Sequence, residues 1–97
     1  MMNAAGILGL ASRARAICTG ETVMKKIRVN QVHLLIMAED IGANAKKKLQ
    51  DKCSFYGVPY VYMDGDVMNQ AIGDRNRKSV AILDEGFAQK LHTCLKG

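Results

Sequence analysis

Ninety-seven residues, 48% of them hydrophobic, suffice for one domain with a buried core, and the composition excludes a disordered chain. No apolar run approaches the ~20 residues of a membrane span. Met1 to Gly9 lacks the basic stretch and long apolar run of a secretory signal, so a cytoplasmic protein with no membrane partner is expected. Fourteen Lys and Arg against nine Asp and Glu leave a net charge of +5, a balance compatible with a nucleic-acid partner.

Along the chain, Ala4 to Ala16 reads as a helix with Asn3 as its cap. Ile7, Leu8, Leu10, Ala11 and Ala14 form its apolar face, and Ser12, Arg13 and Arg15 its wet one. Ile17-Cys18 is a short extended link. A second helix follows, from a cap at Thr19 to about Val29. Here the Thr19 hydroxyl is placed to accept the Thr22 N–H, and Gly20 lies in the first turn. Val23, Ile27 and Met24 make the buried stripe of this helix, so Lys25, Lys26 and Arg28 fall largely off it. Exposed N–H groups at a helix start, with cations one turn later, suit an anion such as phosphate; a surface helix with solvated lysines has the same pattern.

Asn30-Gln31 is a turn. Val32 to Ala38, including His33, is nearly all apolar and predicts a strand buried on both faces. Glu39-Asp40 ends it. Gly42 to Phe55 reads as a third helix capped by Asp40. Ala45, Leu49 and Cys53 line its inner face, and Lys46, Lys47, Lys48, Gln50 and Asp51 its outer one. Tyr56-Gly57 terminates this helix. Val58 to Met63 is a second strand, with Pro59 suited to its first residue or to an edge. Asp64-Gly65-Asp66 caps a short helix, Val67 to Ile72. Gly73 to Lys78 is a basic loop and Ser79 to Leu83 a third strand. Asp84-Glu85-Gly86 then opens a last helix, with Phe87, Leu91 and Leu95 turned inward. The alternation of strands and helices predicts an α/β sandwich around a small sheet.

No arrangement for catalysis, metal or cofactor binding emerges. His33 and His92 lack a second ligand at metal spacing. Cys18, Cys53 and Cys94 are far apart and read as small buried residues of a reducing compartment. Glu39-Asp40 is either a carboxylate pair at a strand end or a helix cap with a first-turn charge. The basic residues cluster at Arg13/Arg15, Lys25/Lys26/Arg28, Lys46 to Lys48 and Arg75/Arg77/Lys78, and these form one face only if the fold gathers them.

Six groups of residues, in this order, resemble the L7Ae/L30e ribosomal protein family, and its small bacterial members most. They are Leu8-Gly9-Leu10-Ala11-x-Arg13, Gly20-Glu21 before a basic helix, and Ala38-Glu39-Asp40. Next come Lys52-Cys53 with Val58-Pro59-Tyr60, then Ala71-Ile72-Gly73, then Asp84-x-Gly86-Phe87-Ala88. The resemblance covers almost the whole chain. It implies a three-layer α-β-α sandwich with a small central mixed sheet. It further implies a non-catalytic protein that binds kink-turn RNA, either ribosome-associated or part of another ribonucleoprotein; the sequence carries no oligomeric signal, and a monomer is the default expectation.

In this family a helix start written G-x-N-E-x-x-K enters the widened groove of the kink and reads tandem sheared G·A pairs. A later loop closes over a flipped-out nucleotide. The resemblance puts Lys25 at the motif lysine, Glu21 at the Asn position and Thr22 at the Glu position. Gly20, Lys26 and Arg28 lie alongside. Gly73, Arg75, Asn76 and Arg77 fall in the closing loop, and Gly42 and Asn44 near the flipped base. The chain departs from this pattern at three places. Gly20 lies one residue closer to Lys25, Glu21 replaces an amide by a carboxylate, and Asp74-Arg75-Asn76-Arg77 stands where the family has an apolar contact. Two other readings compete. One is a protein-interaction module on the same fold. The other is a small enzyme or redox protein built on Glu39/Asp40 or Cys18.

Overall fold

The computed structural model describes residues 3–96. Five helices and four strands alternate: α1 (Ala4–Arg13), β1 (Ile17–Cys18), α2 (Thr22–Arg28), β2 (Leu34–Ala38), α3 (Ala43–Tyr56), β3 (Tyr60–Met63), α4 (Gly65–Ile72), β4 (Ser79–Ile82) and α5 (Glu85–Leu95). The sheet order is β1-β4-β2-β3. β2 and β3 run parallel, and β4 is antiparallel to both β1 and β2, so the sheet is mixed.

All five residues of β2 are buried, because each face of this inner strand meets a helical layer. Leu34, Ile36 and Ala38 point into one apolar cluster, with Leu8, Met68 and Leu91 of α1, α4 and α5. Leu35 and Met37 point into the other, with Val23 and Ile27 of α2 and Leu49 and Cys53 of α3. The period of two along one strand thus builds a three-layer α-β-α sandwich.

Several expectations change. Ile17-Cys18 is more than a link: it pairs with Ile82 and Ala81 as an edge strand. α1 stops at Arg13, where Arg15 takes φ 58 and its N–H donates to Ser12 O. Ala14 therefore leaves the apolar face, and Leu10 is exposed as well. His33 lies ahead of β2: its N–H reaches Ile82 O at 2.9 Å, but its side chain is exposed. Residues 42–48 are all exposed, so Ala45 does not belong to the inner face of α3, and Leu49 and Cys53 carry the burial. Of the cysteines only Cys53 is buried, which pushes its thiol up to about 11; Cys18 is half-buried and Cys94 exposed. At α5 the expectation holds: Asp84 accepts the Phe87 N–H, Leu91 is buried, and Phe87 and Leu95 pack against the core.

The strand register gathers several loops and helix starts at one place. Ala38 pairs with Met63, Met37 with Ser79 and Cys18 with Ala81. So β1, β2 and β3 end, and β4 begins, at the same end of the sheet. From that end spring the starts of α2, α3 and α4 and the loop 73–78.

Candidate functional site

Thr19, Gly20 and Glu21 form the turn that launches α2. Gly20 has φ +67, a left-handed conformation that glycine adopts without strain. It therefore precedes the helix rather than lying in its first turn, and Glu21 takes the cap position without a side-chain hydrogen bond. The expected Thr19 cap is absent. Instead the Thr22 hydroxyl donates to Thr19 O at 2.7 Å, because the Gly20 turn leaves the α2 start to Glu21. Val23 and Ile27 anchor the helix, while Lys25 and Arg28 are exposed. Lys26 turns back and donates to Gln31 Oε1 at 2.9 Å.

The loop 73–78 packs directly on this turn. A Cβ built on Gly20 would lie 2.9 Å from Arg77 Nη1, so the Arg77 guanidinium occupies the space that a larger residue at position 20 would need. Asp74 Oδ2 accepts from Arg77 Nε at 2.9 Å, and its Oδ1 accepts from Arg75 N at 2.7 Å. The Arg77 hydrogen bond holds the Asp74 carboxyl below the usual carboxylate range.

Asn69 of α4 secures the loop backbone. Its Nδ2 donates to Gly65 O and Arg77 O at 2.8 and 3.0 Å, and its Oδ1 accepts from Arg77 N at 2.9 Å. Lys78 Nζ reaches Asp40 Oδ2 at 2.8 Å and holds that carboxyl low as well. Asp40 thus ties the loop to the β2–α3 turn instead of capping α3, which begins at Gly42 with no side-chain cap. Gly65 lets Asp40 approach, since a Cβ there would lie 2.9 Å from Asp40 Oδ1. A polar cleft of about 400 Å3 runs between Asp40, Asn69, Asp74, Arg75 and Lys78.

The fold therefore brings Gly20 and Arg77 into contact. It sets Gly73, Arg75 and Asn76 in the same loop, and Gly42 and Asn44 at the same end of the sheet on the exposed start of α3. It does not gather all the expected residues. Arg28 is the last residue of α2, and Lys26 is engaged with Gln31. Asn69 and the Asp40–Lys78 pair are not apparent in the sequence. The one available signal is an Asn inside a helix, where its propensity is poor unless the side chain has a partner.

The profile of the ribosomal protein L7Ae/L30e/S12e/Gadd45 family matches residues 2–92. The chain belongs to this family. Within it, the chain is 43% identical over 91 residues to the RNA-binding protein YlxQ of Bacillus subtilis, covering 92% of this chain and 91% of that one. It is 36% identical over 96 residues to the YlxQ of Enterococcus faecium, covering 97% and 92%. A Bacillus halodurans structure, described as a protein of unknown function, superposes with TM-score 0.90 at 39% identity over 94% of both chains. The Giardia lamblia 15.5kD RNA binding protein shares the L7Ae-type fold, with TM-score 0.73 at 19% identity over 94% and 86%.

Proposed function

We propose that this chain is a non-catalytic, monomeric RNA-binding protein of the cytoplasm. In this reading it recognises kink-turn RNA with tandem G·A pairs, as a ribosome-associated or other ribonucleoprotein component, and residues 1–97 act as one domain. Family membership and the RNA-binding relatives support the class of partner. The observation that carries the finer reading is the seating of Arg77 on the Gly20 turn, which couples the start of α2 to the loop 73–78. A regular A-form helix hides its bases in a deep, narrow groove, so a protein helix reads them only where the RNA is bent open. In such a groove Lys25 would meet the paired backbones, Glu21 and Thr22 the exposed base edges, and Arg75 and Asn76 the strand that leaves the kink.

The test is binding by Lys25→Ala and Arg75→Ala. Each is expected to lose about tenfold in affinity, roughly 1.4 kcal/mol, with an unchanged melting temperature. Affinity equal to that of the wild type would remove both residues from the site.

One observation favours the docking-module alternative: Asp74 and Asp40 already neutralise Arg77 and Lys78. A nuclease-treated pull-down that recovers proteins and no RNA is the result that reading requires.

A further inference from the structure

The net charge is not spread over the molecule. Lys25, Lys26 and Arg28 of α2 and Lys46, Lys47, Lys48 and Lys52 of α3 are seven of the fourteen basic residues, opposed on these elements only by Glu21 and Asp51. The other seven basic residues are matched by seven acidic ones, so the full +5 resides on α2 and α3. These two helices share one layer, and both start at the end of the sheet that carries the candidate site.

Their cations also point outward. Lys46 is held toward the sheet edge, over the Tyr62 ring at 5.3 Å from its centroid. Lys47 and Lys48 stand in solvent and Lys52 is half-exposed. The Lys47–Asp51 pair is 3.4 Å long and exposed on both sides, too weak to remove the lysine from service. Among the described residues Lys48 and Lys52 form no ion pair. With Lys25 and Arg28 alongside, the face runs about 20 Å from the site, the length of the fourteen-residue α3.

We infer that the outer face of α2 and α3 is a second contact surface, one that follows the phosphate backbone of a helical stem flanking the kinked site; this rests on the RNA-binding function proposed for the chain. A protein partner would need an apolar centre. The large exposed apolar residues of these two elements, Val29 and Phe55, stand at the C-terminal ends of the helices, beside Arg28 and one turn past Lys52, and no large apolar residue is exposed between Lys46 and Lys52. A membrane surface would need an apolar stripe beside the lysines. Cations spaced among polar side chains, and continuous with the site, suit a phosphate backbone.

The variant Lys47→Gln/Lys48→Gln/Lys52→Gln tests this, because glutamine keeps the helix propensity and the positions are not buried. Its binding is compared with wild type on a kink-turn RNA with two long stems, on the same RNA with each stem shortened in turn, and on a form with its G·A pairs made Watson–Crick. About tenfold weaker binding to the long-stem RNA is expected. The salt slope should fall by about 1 for each phosphate that the variant no longer neutralises. The loss should disappear when one particular stem is shortened, and the preference for the kinked over the repaired RNA should persist. Wild-type affinity with an unchanged salt slope would overturn the inference and leave the face to an acidic protein. A loss that survives shortening of either stem would also overturn it. Failure of the kink-turn reading shows separately, as a wild-type protein with no preference between kinked and repaired RNA.

Discussion

On one side of the sheet, α1, α4 and α5 begin with Asn3, Asp64 and Asp84, and each of these side chains accepts a backbone N–H of the first turn. On the other side, α2 and α3 begin at Glu21 and Gly42 with no side-chain cap. The net charge divides the same way, with +5 on α2 and α3 and none left over elsewhere. The capped layer spends its polar groups on itself. The uncapped layer leaves first-turn N–H groups and lysines for something else to satisfy. The start of α2 forgoes about 1 kcal/mol, and that of α3, with glycine at its cap position, a few tenths; both lie at the end of the sheet that holds the loop 73–78, where the start of α4 is capped by Asp64.

The largest effect tests what both layers share. Leu35→Ala removes a fully buried side chain between β2 and the α2/α3 layer. It is expected to cost about 2–5 kcal/mol in chemical denaturation, and a cost below that range would mean the uncapped layer is loosely packed. Next comes the junction of site and loop. Gly20→Ala places a methyl 2.9 Å from Arg77 Nη1 at a positive φ. It should cost about 1–2 kcal/mol and also weaken RNA binding, because Arg77 must move; a stability loss with binding intact would uncouple the loop from α2.

Caps give a smaller and sharper contrast. Asp84→Ala should cost about 1 kcal/mol and leave RNA affinity alone. At Gly42, where a Cβ meets nothing within 4 Å, Gly42→Asp should gain a few tenths of a kcal/mol while lowering RNA affinity. If Gly42→Asp binds as well as wild type, the open start of α3 plays no part in recognition.

The smallest effect is pH. Asp40 and Asp74 are both held below the ordinary carboxylate value of 3.8. Their contribution to loop order is therefore present above that value and is lost as pH falls through the lowered one. The protection factor of the Arg77 amide, which is its exchange corrected for the intrinsic base-catalysed pH dependence, should be constant near neutrality and fall only in acid. A change between about pH 5 and 8 would point to a different titrating group.

Much of this architecture is legible in local pattern. The apolar run of β2 announces a doubly covered strand, and Asp64 and Asp84 announce two helix starts. β1 is not legible, because two residues are too few to display a period of two. The site is legible in part. The exposed cations of α2 and a basic loop at 73–78 follow from charge and turn residues, while Lys25 is singled out only by the family resemblance, and nothing local says that Arg77 will sit on Gly20 or that Lys78 will reach Asp40, 38 residues away. Those contacts exist because β1, β2 and β4 meet in one register, and that register is a property of the whole sheet. Asn69 is hidden for the same reason: its partners are the backbone of a loop eight residues on.

The most direct test of kink recognition is a titration of the wild-type protein at physiological salt with a short kink-turn RNA, against the same RNA with its G·A pairs made Watson–Crick. A preference of at least ~100-fold, about 2.7 kcal/mol, is predicted. Equal affinity for the two, falling steeply with salt, would reduce the interaction to phosphate attraction and contradict recognition of the kink.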